Sequence, residues 1–160
     1  MENLKSRERL KRLFPEYFKN FKMPEGAGEL SIQVYRACRS GKCDKDSFMS
    51  TFEEKGCIID ETDDKTDPSL YSLSTYEKPN HIKRFANMTS DMQIPYTIAI
   101  GVTNPVYGLA QRTKERKPKS GSHVDWWLYE GATPYEEFEL IPDFEQHLKE
   151  FKEKRDGKNE

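Results

Sequence analysis

Residues 122–142, SHVDWWLYEGATPYEEFELIP, hold both tryptophans of this 160-residue chain and have the pattern of paired strands. The stretch divides into a strand, a turn and a second strand: HVDWWLYE (123–130), GATP (131–134) and YEEFELI (135–141). In the second strand Phe138 and Leu140 alternate with Glu137 and Glu139, which predicts one buried face and one polar face. The last third of the chain is therefore expected to contribute a hairpin to a sheet.

Hydrophobic spacing predicts the remaining elements of the fold. Three more strands are predicted at ELSIQVYRA (29–37), LYSLSTYEK (70–78) and IPYTIAIGVT (94–103). The last of these is apolar throughout, so we expect it in the centre of the sheet. Four helices are predicted at residues 2–22 with an interruption at Pro15, at 46–55 ending at Gly56, at 79–88 beginning at Pro79, and after Pro142.

This irregular alternation of helices and strands favours an α+β fold with a mostly antiparallel sheet. The length suits a single domain. Within it we expect an N-terminal helical region (1–28), an α/β core (29–142) and a C-terminal helix with a charged tail (143–160).

Composition narrows the class of protein. The net charge is −2, which gives no general reason to expect nucleic-acid binding. We expect no signal peptide, and no apolar run approaches the length of a membrane span, so no membrane partner is expected. Three cysteines are an odd number, which favours free thiols and a cytoplasmic protein. The spacing of Cys38 and Cys43 does not suit zinc, and no metal is expected.

Three short patches occur in an informative order: Tyr35-Arg36 on a strand, LSTYEKPNHIKRFA (73–86) spanning a strand and a helix, and EEFELIP (136–142) late in the chain. Together they resemble the ADP-ribosyltransferase family of the Arg–Ser–Glu type. The resemblance implies an ADP-ribosyltransferase-like fold and transfer of ADP-ribose from NAD, with release of nicotinamide, to an unknown acceptor macromolecule.

The resemblance also implies roles for seven residues. Arg36 would hold the phosphates or ribose of NAD, and Glu139 would stabilise the ribose cation while Glu137 engages the acceptor. Ser74 would orient the catalytic glutamate or shape the pocket. The remaining NAD-binding positions would be Tyr35, Thr75 and Phe85, with Tyr71 and Tyr76 as alternatives to Phe85 for stacking on nicotinamide.

This chemistry is physically coherent. Cleavage of the nicotinamide–ribose bond builds positive charge on the sugar, which a nearby carboxylate stabilises in a dry site. The planar guanidinium of Arg36 suits a pyrophosphate. On a regular strand, Glu137 and Glu139 would share one face, and each would raise the other's pKa.

A second interpretation stays open from the sequence. The chain could be a small non-enzymatic α+β interaction module that contacts a protein partner through an aromatic surface around 123–138. Arg36 would then be a surface or salt-bridged residue, Ser74 and Thr75 a helix cap, and the two glutamates the solvent face of an edge strand.

Two further features have alternative explanations. His123 and Asp125 could be a catalytic base and its orienting carboxylate, or a structural hydrogen-bonding pair beside a buried tryptophan. The basic loop 111–119 could contact nucleic acid, although such loops are usually only solvated.

Overall fold

An antiparallel sheet of six strands organises the computed structural model, which describes residues 12–89 and 97–158. In spatial order the strands are β4 (Gly108–Arg112), β5 (His123–Leu128), β2 (Leu73–Tyr76), β1 (Gln33–Cys38), β3 (Thr97–Val102) and β6 (Glu139–Leu140). Every neighbouring pair is antiparallel. The predicted α+β class with a mostly antiparallel sheet is confirmed.

Three α-helices accompany the sheet in the described residues: α1 (Thr51–Glu54), α2 (Pro79–Thr89) and α3 (Phe144–Lys158). Five short 3-10 helices lie at Glu16–Asn20, Lys45–Ser47, Pro68–Tyr71, Thr113–Glu115 and Pro134–Glu137. The helix predicted at 79–88 and the C-terminal helix are both present. None of the helices within 12–89 and 97–158 is long and apolar enough to cross a bilayer.

The two faces of the sheet are covered by different material. Helices α2 and α3 cover one face, where Tyr35, Ala37 and Ile98 pack with side chains of those helices. The opposite face carries the larger core, which is built on alternate residues of the same strands and closed by loops: Val34, Leu73, Val124, Trp126, Phe48 and Phe138. A third cluster gathers Phe18, Phe52 and Tyr71 around Trp127.

Strands β1 and β2 form the narrowest junction in the sheet. They meet at a single register pair, Tyr35 opposite Tyr76. By contrast, β1 pairs with β3 along six residues, from Gln33 opposite Val102 to Cys38 opposite Thr97. The sheet therefore consists of two three-stranded halves joined at β1 and β2.

The predicted strand 135–141 is wrong for most of its length. Pro134 begins a 3-10 helix that runs to Glu137, because proline is favoured in the first turn of a helix. Only Glu139–Leu140 pairs as a strand. Between them, Phe138 packs on Gly101, where a Cβ atom would overlap its ring. Glu137 and Glu139 consequently do not share a face of one strand.

The helix predicted at 46–55 is also divided. A 3-10 helix ends at Ser47, and α1 begins only at Thr51 after a capping box formed by Ser50 and Glu53. The side chain of Arg36 donates hydrogen bonds to the carbonyl oxygens of Ser47 and Met49, which removes both from a continuous helix. Gly56, with φ of +73°, follows the last turn as predicted.

The ends of the other predicted elements differ less from the observed ones. The strand predicted at 29–37 begins later, at Gln33, and β5 ends at Leu128 rather than at residue 130. Strand β3 lies between β1 and the two-residue β6, so it is next to an edge and not central. Of the helix predicted at 2–22 and the strand predicted at 94–103, residues 2–11 and 94–96 lie outside the described residues. The described part of that N-terminal region contains a 3-10 helix after Pro15.

Candidate functional site

Arg36 is buried at the junction of β1 and β2, with only 4% of its surface exposed. Its Nη1 donates to the Ser74 carbonyl at 2.9 Å and its Nε donates to the Ser47 carbonyl at 2.9 Å. Nη2 donates to the Met49 carbonyl at 3.3 Å. The guanidinium therefore connects β1 to β2 and to the segment that leads into α1, and its nitrogens are occupied by main-chain oxygens.

The charge of Arg36 is balanced by one carboxylate. Glu54 lies 3.7 Å from its Nη2 and also 3.6 Å from Nη2 of Arg39. Burial lowers the pKa of Arg36, and Glu54 opposes that shift. A buried cation needs such a partner because removing it from water is costly.

Ser74 and Thr75 lie on β2, as predicted. Ser74 is adjacent to Arg36 through its main-chain carbonyl, and it lies opposite Asp125 across β2 and β5. The Thr75 hydroxyl is fully buried and donates to the Val124 carbonyl at 3.0 Å. Both residues help to hold the middle of the sheet together.

Tyr35 and Phe85 lie on the helical side of the sheet. The Tyr35 hydroxyl is 2.7 Å from Nε2 of His147 on α3, and burial raises the pKa of Tyr35. The ring of Phe85 lies 5.7 Å from that of Tyr76. Since neighbouring strand residues point in opposite directions, Tyr35 and Arg36 face opposite sides of the sheet.

The two glutamates of the predicted transferase site lie apart from Arg36. Glu139 is exposed and pairs with Ile100, which itself pairs with Tyr35, whereas Arg36 pairs with Ala99. Glu139 is therefore on the opposite face from Arg36 and two strands away. Glu137 is exposed, with Asn104 Nδ2 at 3.5 Å from its Oε2. Of the predicted triad, the structure brings Arg36 and Ser74 together and leaves Glu139 apart.

A fully buried carboxylate, Asp125, lies at the centre of a polar network on β5. The Ser72 hydroxyl is 2.6 Å from its Oδ1, and its Oδ2 accepts from the Thr113 hydroxyl at 2.8 Å and from Arg116 Nη2 at 2.9 Å. Burial alone would raise the pKa of Asp125, but His123 and these donors hold it below its usual value. Asp125 is thus an anion with several partners.

His123 completes this network through Thr113. The single hydroxyl hydrogen of Thr113 is donated to Asp125, so its oxygen accepts from Nδ1 of His123, 2.5 Å away. The neutral imidazole therefore carries its hydrogen on Nδ1. Burial lowers the pKa of His123, and the negative charge of Asp125 opposes that shift. This arrangement favours the structural interpretation of the pair.

Part of the basic loop is bound to the rest of the domain. Arg112 contacts Glu77 through two nitrogens, and Lys117 lies 2.6 Å from Asp67. Arg116 contacts Asp125 and covers the ring of Trp127 at 5.6 Å from its centroid. Three of the five basic residues in 111–119 thus have acidic partners within the chain, which leaves less charge for a nucleic acid.

A cavity of about 340 Å³ opens on the loop-covered side of the sheet. Its walls come from parts of the chain that are distant in sequence: 15–18, 45–53, 71–73 and 126–135. Seven of the eighteen residues that line it are aromatic: Tyr17, Phe18, Phe48, Tyr71, Trp126, Tyr129 and Tyr135. Aromatic walls with a few polar groups are typical of sites that bind small molecules.

Only one wall of this cavity belongs to a surface predicted from the sequence. The aromatic stretch 123–138 was identified as a contact surface, but Trp126 and Trp127 are fully buried. Tyr17 and Phe48 lie in segments predicted only as helices, because no local pattern indicates which distant segments will meet. The clustering of aromatic residues in 14–21 was the available signal.

Comparison of the chain with family models, with curated proteins and with solved structures gave no match. Within residues 12–89 and 97–158, no group of three or more His, Cys, Asp or Glu side chains is placed to hold a metal ion. Function is therefore inferred from the geometry of the described residues.

Proposed function

We propose that the protein is a small-ligand-binding module and that its site is the cavity beside Trp126. The cavity itself carries the proposal, because its volume of about 340 Å³ falls in the range of about 300–1,000 Å³ that ligand sites occupy. Loops on one side of a rigid sheet form it, which is a common placement for binding sites.

The occupant enters the cavity and does not rest on a flat aromatic surface. The tryptophans of the 123–138 stretch are buried, and the rings of Tyr129 and Phe138 are also buried. A protein partner could reach these rings only by inserting a side chain. A small molecule needs no such insertion, so we favour it as the occupant.

The test uses single-ring compounds and a variant that fills the cavity. Toluene, phenol, benzamide and indole are titrated into ¹⁵N-labelled protein, and shifts are expected at residues of the cavity wall. Ala132 is part of that wall, so Ala132→Phe should abolish the shifts. Leu140→Phe, at the exposed edge strand, is the matched control and should bind like the parent. If none of the compounds shifts the wall residues, the proposal is wrong.

We also propose ADP-ribosyl transfer from NAD as a second function. It is supported by the contact between Arg36 Nη1 and the Ser74 carbonyl at 2.9 Å, on adjacent strands, and by helix α2 following β2. In this reaction the nicotinamide–ribose bond breaks, nicotinamide leaves, and the acceptor's nucleophile bonds to the ribose and loses its proton. Arg36 would have to release main-chain carbonyls to bind a pyrophosphate.

Release of nicotinamide from NAD, measured by chromatography, tests the second function. Activity in the parent chain that is lost in Glu139→Gln would support the roles implied by the resemblance. Activity that survives in this variant would support the reaction but reject Glu139 as its carboxylate. If the parent chain releases no nicotinamide with lysate proteins present as acceptors, the transferase proposal fails.

A further inference from the structure

Two cysteine thiols meet where β1 ends. Cys38 is the last residue of the strand and is fully buried, and Cys43 is half-buried in the loop that follows. Their side chains hydrogen-bond to each other, and Cys43 packs against the larger core to which Cys38 belongs. The third cysteine, Cys57, is exposed after α1. The fold therefore brings two thiols of one short segment into contact.

A tight turn brings these two thiols together. The main-chain nitrogen of Gly41 donates to the Cys38 carbonyl at 3.1 Å, and Gly41 has φ of +80°, a conformation that suits glycine. On the far side of the loop, the hydroxyl oxygens of Ser40 and Ser47 are 2.6 Å apart, and the Ser40 main-chain nitrogen donates to the same Ser47 oxygen at 3.1 Å. The loop is thus held in its shape without a covalent bond between the thiols.

The same loop leads into two parts of the molecule described above. The Ser47 carbonyl accepts from Nε of the buried Arg36 at 2.9 Å, and Lys45 and Phe48 line the cavity. A covalent bond across the start of the loop would fix the path by which this segment leaves β1. Oxidation of the thiols would therefore act on the segment that connects the buried arginine to the cavity.

We infer that Cys38 and Cys43 are a reversible redox pair, which forms an intramolecular disulfide and so locks the loop 38–43. This inference does not depend on the proposed ligand-binding function. Reduced and oxidised chains would then differ in the freedom of one loop and keep the same sheet.

The oxidant is a small disulfide, for which glutathione disulfide is the probe. Cys43 is the more accessible thiol of the pair, so its thiolate attacks first. The sulfur–sulfur bond of the oxidant breaks, and one reduced glutathione leaves with the proton from Cys43. Cys38 then attacks the Cys43 sulfur and displaces a second reduced glutathione. Two protein thiols are oxidised, and one glutathione disulfide is reduced to two thiols.

Burial sets the rate of this reaction, and the contact between the thiols sets its product. Burial raises the pKa of both thiols, that of Cys38 to about 12, so little of the attacking thiolate is present at neutral pH. We therefore expect slow oxidation. The second step joins groups that already touch, which favours the internal disulfide over a persistent glutathione adduct.

Peptide mapping of the folded parent chain tests the pair. After incubation with glutathione disulfide, the remaining thiols are alkylated in urea and the chain is cut with trypsin, which cleaves after Arg39 and Lys42. A disulfide between Cys38 and Cys43 then joins two peptides that separate again after reduction with dithiothreitol. We expect this linked pair to be the main product.

The exposed thiol of Cys57 is the internal control, and it should carry a glutathione adduct. If Cys43 keeps its glutathione or pairs with Cys57, the inference is overturned. It is also overturned if Cys38 and Cys43 both stay reduced after Cys57 has reacted.

Single substitutions give the two thiols separate roles. In a Cys57→Ser background the chain should lose two hydrogen atoms and carry no glutathione. Adding Cys38→Ser should leave a stable glutathione adduct on Cys43, because the thiol that displaces glutathione is gone. Adding Cys43→Ser should leave the fully buried Cys38 unmodified. If Cys38→Ser does not fold, the peptide map of the parent chain decides.

The contribution of the fold is measured by equilibrating the chain in glutathione buffers with and without urea. The controlling ratio is the square of the reduced glutathione concentration divided by the glutathione disulfide concentration. At half reduction of the disulfide this ratio should be at least about tenfold higher for the folded chain than for the unfolded chain. An equal or lower ratio would show that the fold does not hold the thiols in place for the bond, and would overturn the inference.

Discussion

Asp125 and Trp126 are neighbours on β5, both fully buried, and they point to opposite faces of the sheet. On one side the Asp125 carboxylate has partners in Ser72, Thr113 and Arg116. On the other side the Trp126 N–H has none among the described residues. The difference shows that two neighbouring buried positions on one strand are satisfied to different degrees: the Asp125 carboxylate is fully hydrogen-bonded, whereas the Trp126 indole N–H is buried without a partner among the described residues.

Removing the charge of Asp125 is expected to have the largest effect. Asp125→Asn leaves Arg116 without its buried partner and places an amide donor among hydroxyl donors. Breaking a buried charge pair costs about 3–5 kcal/mol, so we expect a loss of that size in the free energy of unfolding, measured in urea.

An exposed ion pair provides the control for this measurement. Arg12 and Glu29 form a surface contact at 2.9 Å, so Glu29→Gln should change stability by less than about 1 kcal/mol. If Asp125→Asn is as stable as the parent protein, the network around Asp125 does not have the structural role assigned to it.

The two tryptophans provide a smaller and more selective comparison. Trp127→Phe removes a hydrogen bond to Pro68, whereas Trp126→Phe removes an N–H that has no partner within residues 12–89 and 97–158. Both changes delete similar ring volume. We therefore expect the free energy of unfolding of Trp127→Phe, measured in urea, to be roughly 1 kcal/mol lower than that of Trp126→Phe. A greater loss in Trp126→Phe would show that its N–H is already satisfied.

A pH-dependent effect follows from His123. Burial lowers its pKa in the folded protein, while the unfolded chain keeps the ordinary value near 6.5. The unfolded state then binds more protons below about pH 6.5, so stability is complete above that pH and falls as the pH drops toward the folded pKa.

Unfolding in urea at a series of pH values from 8 to 5 would measure this decline, with the range set by the ordinary pKa of about 6.5. His123→Asn, whose amide can donate to Thr113, should flatten the decline. His81, whose pKa is also lowered by burial, should leave a residual slope. An unchanged slope in His123→Asn would show that His123 is not the group that titrates.

The smallest effect is expected at Glu139. Its side chain is exposed on the two-residue edge strand, so Glu139→Gln should change the free energy of unfolding by no more than about 0.5 kcal/mol. The same variant is used for nicotinamide release, so this measurement ensures that any lost activity is not caused by unfolding. A loss above about 1 kcal/mol would contradict the exposed position of the side chain.

The sequence predicted those elements whose pattern is local. Strand β5 lies in a stretch with the pattern of paired strands, and helix α2 begins at a proline, so both were predicted. The helix predicted at 46–55 and the strand predicted at 135–141 are wrong because residues distant in sequence determine the conformation of both segments. In the first segment Arg36 donates hydrogen bonds to the Ser47 and Met49 carbonyls, which a continuous helix would use for its own hydrogen bonds. In the second, Phe138 packs against Gly101, where a side chain would overlap its ring.

The candidate site was harder to predict from the sequence for the same reason, because contacts between distant segments form it. Arg36 is a residue type that binds phosphates, but its partners here are main-chain carbonyls, which have no signature in the sequence. Likewise, nothing in the sequence indicates which buried N–H groups find partners, as Trp127 does with the Pro68 carbonyl and Trp126 does not among the described residues. Residue type predicted which groups have chemistry to offer, and only the fold showed which of them are already engaged.

The single pair between β1 and β2 has a consequence for how the domain opens. Separation of β4-β5-β2 from β1-β3-β6 breaks few main-chain hydrogen bonds between strands, and the contact of Arg36 with Ser74 is among the interactions that resist it. Proteins open in cooperative units along such weak lines. Native-state amide exchange should therefore show two groups of protected amides, one in β4-β5-β2 and one in β1-β3-β6. The hydrogen bond from Arg36 to Ser74 should determine how strongly the opening of one group is coupled to that of the other.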